Sequence, residues 1–362
     1  MFTIEMLAAS EGDSLWIEYG PDEDHIKRIL IDAGRVATYR IIRERILELD
    51  ENDRRFELFV ITHVDSDHIE GAVPLLQDKI PGLEWGEVWF NGYRHAEQFK
   101  PPDQMGALQG EFVSALIDEA GIPWNAAFDE GPIVALPGEQ FPWAEFDGGM
   151  KLTVLTPTPD RMRVLAAEWE RVLEDEGLDA EDRMKTLEKL ATVKKLQPDA
   201  LGSINVEKLA EQDAREDKTV ANGSTISLLA EYDGKTALLT GDVWAPVLKK
   251  ALEDLNKERG TSSLSLDVLK VPHHGSVANM SKELLDQIRC KRYLFSSNGS
   301  RYGHPDKAGV ARVIHWGGSR LKLYFNYRSE HNEMWDNDSL RDEYDYRTFY
   351  PGDGVEGLRV VV

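Results

Sequence analysis

The stretch His63-Val64-Asp65-Ser66-Asp67-His68 places four metal-capable side chains within six residues, at positions i, i+2, i+4 and i+5. Neutral imidazole and carboxylate together make the ligand set of zinc and of harder ions such as manganese. Two such residues often decorate a turn, but that reading explains four at this spacing poorly. Two other apolar runs also end in metal-type residues. Leu238-Leu239-Thr240-Gly241-Asp242 ends in a carboxylate, and Leu269-Lys270-Val271-Pro272-His273-His274 ends in a histidine doublet. Four of the nine histidines lie in these motifs. Strand ends converge on one edge in layered α/β folds, so the three motifs are expected to meet in one site.

The elements that must position these groups alternate between strand and helix. Phe2–Leu7, Ser14–Tyr19 and Arg28–Asp32 read as strands, Val36–Leu49 as a helix, and Leu58–Ile61 as the strand that delivers the first cluster. A helix start is expected at Ile69–Leu76, a strand at Gly86–Asn91 and a helix at Met105–Ala120. Ser224–Tyr232 and Lys235–Thr240 form a hairpin over Asp233-Gly234. Pro246–Leu255 reads as a helix, Leu266–Val271 as a strand, and Ser281–Phe325 continues the alternation. From Asp160 to about Asp217 the chain is rich in Glu, Lys, Ala, Leu and Arg at helical spacing, which predicts two or three exposed helices inserted into the sheet-based fold. The tail from Tyr327 to Val362 reads as acidic and irregular, packed at the surface through its aromatic residues.

With 362 residues, 41% of them hydrophobic, the chain can bury one large core. It has no run near the ~18–20 apolar residues that span a bilayer, and its first residues do not resemble a signal peptide. With a single cysteine, Cys290, an intrachain disulfide is excluded, and a cytoplasmic location is expected. The net charge of −23 argues against a basic stripe that tracks nucleic acid. It leaves open an anionic substrate, because metal ions supply local positive charge.

In these motifs the chain resembles the metallo-β-lactamase superfamily, whose pattern His-x-His-x-Asp-His is matched by His63-x-Asp65-x-Asp67-His68. The nearest branch is similar to the hydrolase domain of bacterial DNA-uptake (competence) channel proteins. It is matched by Asn222-Gly223-Ser224, Leu238–Asp242, Leu269–Ser276 and Arg301–Pro305, in order, over roughly residues 1–325. The resemblance, which excludes the helical insertion, implies a four-layer αββα sandwich. The insertion at about 160–217 and a C-terminal extension, 326–362, packed on the domain, are expected from the chain's own composition. The resemblance also implies two divalent ions, zinc first and manganese as the alternative. His63 and Asp65 would hold one ion, Asp67 and His68 the other, Asp242 would bridge, and His273 would complete the second site with His274 as its competitor. Asp65 replaces a family histidine and makes the site harder. Asn222 lies where the usual third histidine is expected.

The activity so implied is hydrolysis by a metal-bound hydroxide, most directly of a phosphodiester, in a nucleic acid or a nucleotide. Asp67 is a candidate proton acceptor, His304 a candidate proton donor, and His274 a candidate substrate contact. Hydrolysis of a carboxylic ester, thioester or lactone is the alternative within enzymes. A non-catalytic metal-binding component of a larger assembly is the alternative outside them, with the insertion as a surface for a protein partner or a second copy. Lys270 and Arg301 are read as either substrate-facing or solvated charges. Ser276 is read as a cap or as a donor to a histidine, and Cys290 as a buried small residue.

Overall fold

A computed structural model describes residues 1–96, 98, 108–176, 205–214 and 216–362. Two sheets dominate. The six-stranded sheet runs in the order Gly357–Val361, Phe2–Leu7, Leu15–Tyr19, Lys27–Ile31, Leu58–Val60, Val88–Trp89. The eight-stranded sheet runs Tyr346–Phe349, Leu321–Phe325, Arg292–Phe295, Val268–Lys270, Lys235–Leu239, Ser227–Tyr232, Met150–Thr156, Trp143–Phe146. Each sheet is antiparallel on one side and parallel on the other. The strands that deliver the motifs belong to the parallel parts, as crossover connections require.

Three apolar clusters define the layers. One lies between the sheets and includes Ile4, Ile17, Ile29, Val60, Trp89, Val154, Leu228, Leu239 and Leu294. A second packs the outer face of the six-stranded sheet under helices at Thr38–Glu48, Ala72–Gln77, Leu108–Ala120 and Pro159–Glu176. The third packs the eight-stranded sheet under Ala245–Glu258, Lys282–Leu285 and Lys307–Trp316. This is the αββα arrangement, in which strands buried on both faces read as near-continuous apolar runs.

The structure departs from the sequence reading in several places. The helix Pro159–Glu176, expected to be exposed, buries Met162, Leu165, Ala166 and Trp169 in the core. The rest of the expected insertion lies mostly outside the described residues, apart from a short helix at Val206–Ala210. The tail is not irregular. Gly357–Val361 pairs antiparallel with Phe2–Leu7, Tyr346–Phe349 pairs parallel with Leu321–Phe325, and Trp335 and Tyr346 are buried. Thus 326–362 contributes a strand to each sheet. Trp143–Phe146 is a further strand, and the Gly148-Gly149 turn joins it to Met150–Thr156.

Cys290 is buried, and burial pushes its thiol up to about 12, in keeping with a small core residue. No helix among the described residues is long and apolar enough to cross a membrane. His95 is buried against Trp124, and burial, with Arg94 adding to it, pushes its pKa down to about 4. The unfolded chain therefore binds a proton between the ordinary 6.5 and about 4 that the folded chain does not. Stability is expected to decline as pH falls through that window, and urea denaturation of His95→Gln across it should show a shallower acid-side decline.

Candidate metal centre

The motif loops meet where the two sheets are tied together. The Ile226 N–H donates to the Thr62 carbonyl at 2.9 Å, and the His273 N–H donates to the Gly241 carbonyl at 3.0 Å. The first cluster begins in a loop and continues into the short helix Ser66–Ile69, earlier than expected. Asp65 stands at its N-cap with its carboxylate free of capping, and Asp67 and His68 lie on its first turn. Gly12 lies so close to this turn that a Cβ there would sit 1.8 Å from the Asp67 carbonyl. That approach lets the Asp13 N–H reach the Asp67 carbonyl at 3.2 Å.

Among the described residues, Asp67, His68, Asp242 and His274 offer ligand atoms that all lie within 4.8 Å of one another. His68 Nε2 is 3.4 Å from Asp242 Oδ1. His274 Nε2 is 3.4 Å from both Asp67 Oδ2 and Asp242 Oδ2. His68 Nε2, His274 Nε2, Asp242 Oδ1 and the nearby His63 Nε2 are buried without a hydrogen-bond partner among the described residues. Buried polar atoms left unpaired cost about 1–3 kcal/mol each. Four of them aimed into one space suit a cation, and the residues fit a divalent ion with mixed imidazole and carboxylate ligands.

The outward nitrogens are all engaged. His68 Nδ1 is 2.8 Å from Asp32 Oδ2, and Asp32 also accepts the N–H and hydroxyl of Thr62. His274 Nδ1 donates to the Ser296 carbonyl at 2.8 Å, with Asp13 Oδ1 at 3.3 Å. His63 Nδ1 lies 2.9 Å from Thr62 Oγ1. A carboxylate or carbonyl holding Nδ1–H leaves the Nε2 lone pair for a metal. The sequence reading missed Asp13 and Asp32, whose only signal was an acidic residue beside glycine in Gly12-Asp13 and Asp32-Ala33-Gly34. Lys270, read as substrate-facing or solvated, is fully buried and donates to Asp13 Oδ2 at 2.6 Å.

The local charges reinforce one another. Burial opposes charge on His68 and His274, but Asp242 and Asp32 beside the first, and Asp242 and Asp13 beside the second, lift both well above the ordinary histidine range. Burial likewise opposes the charge on Asp242, yet His274, His68 and His273 hold its carboxyl well below the usual range. Burial, with Asp67 adding to it, pushes Asp65 up to about 6. Burial, with His68 adding to it, pushes His63 down to about 3. A divalent ion entering here takes the place of protons held by the carboxylate field, so binding releases protons and weakens in acid.

The other candidates surround this group. His63 Nε2 lies 3.8 Å from Asp65 Oδ2. His273 is outside the tight group, with Nε2 at 3.6 Å from Asp242 Oδ2. The His304 ring lies 5.2 Å from that of His273, and its Nδ1 is 3.0 Å from Asp306 Oδ1. Asn222 falls on a short helix, Val220–Gly223, rather than on a strand entry. Arg301 stacks over the Tyr302 ring, with its guanidinium carbon 5.1 Å from the centroid.

No protein-family model and no curated protein matches the chain. Solved structures similar to it include human tRNase Z, short form, at 9% identity and TM-score 0.39, covering 100% of this chain and 99% of that one. CmlA, a diiron β-hydroxylase from Streptomyces venezuelae, is similar at 10% identity and TM-score 0.39; the match covers 100% of this chain but 54% of that chain. A Cronobacter sakazakii metallo-β-lactamase is similar at 14% identity and TM-score 0.31, covering 74% and 73% of the two chains.

Proposed function

We propose that this chain is a metal-dependent hydrolase of the metallo-β-lactamase superfamily, in its competence-type branch, and that it cleaves a phosphodiester. The observation that carries the reading is the buried group Asp67, His68, Asp242 and His274, with its unpartnered Nε2 and carboxylate atoms turned inward. Buried polar atoms left unpaired are costly unless a cation is held there, which supports a metal-holding site. His274 joins the second site in place of His273, because its Nε2 is the one beside Asp67. His63 and Asp65 belong to the first site, and Asp242 lies between the two.

Divalent ions held here would supply Lewis acidity and activate a water for attack on the phosphorus of the diester. The chain's own residues set the geometry. Asp32, Ser296 and Thr62 fix three imidazole rings from behind, so each Nε2 faces inward. Burial opposes charge on Asp67, but His274 and His68 outweigh it and keep the carboxyl low, which suits a ligand better than a proton acceptor. His304 holds Nδ1 against Asp306 with Nε2 free, and in its protonated form it would give the Nε2 proton to the leaving oxygen. The mixed imidazole and carboxylate set suits zinc, and Asp65 beside Asp67 and Asp242 admits manganese as the alternative.

The test is a panel of substrates offered to the metal-loaded chain: single- and double-stranded DNA, RNA, a model phosphodiester and several acyl esters. Phosphodiester cleavage that a chelator abolishes is expected. Intact phosphodiesters together with cleaved acyl esters would show that the substrate class is wrong.

A further inference from the structure

We propose that the doublet His273-His274 serves both metal sites, one ring to each, and that His273 supplies the third ligand which Asn222 does not. The proposal rests on the two-metal reading above. Adjacent residues in an extended strand point to opposite faces. Here both residues are left-handed, His273 at φ 47° and ψ 53°, His274 at φ 54° and ψ 18°. Such a conformation costs a non-glycine residue roughly 1–3 kcal/mol, and two in succession persist only where the surroundings enforce them. Its effect is to bring both Nε2 atoms to the same oxygen, Asp242 Oδ2, at 3.6 and 3.4 Å. The rings splay at 74° with centroids 5.8 Å apart. His274 turns to Asp67 and His68, its ring 5.4 Å from that of His68, while His273 stays outside that tight group.

The surroundings of His273 match those of an oriented ligand. Its Nδ1 is 3.1 Å from Asp217 Oδ2, the relation His68 has with Asp32. Asp217 is in turn fixed by the side-chain amides of Asn222 at 2.8 Å and Asn279 at 3.1 Å. Asn222 thus spends its amide nitrogen holding the carboxylate that orients His273. The Asn222 Oδ1 is buried without a partner among the described residues, which makes it the rival ligand. The first site would draw on His63, Asp65, His273 and the shared Asp242. These do not close into a group as tight as the second, and the His273 side chain is 21% exposed against 1% for His274. One tight and one weaker ion follow.

The full chain, stripped with a chelator and titrated with cobalt(II), is expected to bind two ions of different affinity by calorimetry and visible absorption. His273→Gln should lose the weaker ion and keep the tight one within a few-fold, while His274→Gln should lose the tight one. Asp217→Asn, which removes only the orienting carboxylate, should weaken the looser ion by about 10–100-fold. Circular dichroism checks that each variant folds. Anomalous diffraction from the cobalt-loaded wild type is independent of the variants, and an ion bonded to His273 Nε2 is expected. Both ions held normally by His273→Gln, or an ion on Asn222 Oδ1 with His273 unbound, would overturn the proposal and leave the two-metal reading standing. A wild-type chain that binds no cobalt would overturn both.

Discussion

Asp242→Asn is expected to cut both metal retention and hydrolysis by more than about a hundredfold, above the usual loss for a residue that only orients a ligand. The substitution keeps the shape of the side chain and removes its charge. Asp242 Oδ1 faces His68 Nε2, and Oδ2 faces both His273 and His274, so one carboxylate addresses both rings of the doublet and one ring of the first cluster. Burial opposes its charge, and the three imidazoles keep it ionised all the same. An amide in that place offers a single neutral acceptor. The fold should survive, since the strand Lys235–Leu239 and its neighbours do not depend on this group. Circular dichroism should be unchanged while elemental analysis shows metal lost. Wild-type metal content in a folded Asp242→Asn protein would contradict the assignment.

Lys270→Met is expected to destabilise the protein by about 3–5 kcal/mol, the usual cost of leaving one partner of a buried ion pair alone. Lys270 Nζ and Asp13 Oδ2 are 2.6 Å apart and almost wholly inaccessible, one from the eight-stranded sheet and one from the loop after Phe2–Leu7. Asp13 also accepts from the Ser296 hydroxyl and lies 3.3 Å from His274 Nδ1, so the pair joins the two sheets directly behind a proposed ligand. Adding Asp13→Asn to Lys270→Met removes the stranded charge and should recover most of the loss. Urea denaturation of the two single variants and the double variant gives the coupling. Additive losses in that cycle would mean that the pair contributes through packing alone.

The candidate ligands were legible in the sequence because they sit at strand ends, where polar residues interrupt apolar runs: His63 to His68 after Leu58–Ile61, Asp242 after Leu238-Leu239, and His273-His274 after Leu269–Val271. The strand order was not legible, and neither were the buried carboxylates behind the rings. Asp13, Asp32 and Asp217 belong to no motif that sets them apart among 65 acidic residues, and only the fold brings them to His274, His68 and His273. Lys270 looked like a solvated charge because its partner is 257 residues away. The doublet could be seen, but the directions in which its two rings point depend on two left-handed residues that a motif does not reveal. The tail was misjudged because Gly357–Val361 and Tyr346–Phe349 are short and flanked by charges, and pairing decides such strands more than propensity does.

The most direct test of the central claim is the metal content of the full chain, purified without added chelator and dialysed against metal-free buffer. At least one tightly held divalent ion per chain is predicted, lost on acidification as the imidazoles take up protons. A protein that is fully folded, carries no ion and takes up neither zinc nor manganese when offered them would contradict the account.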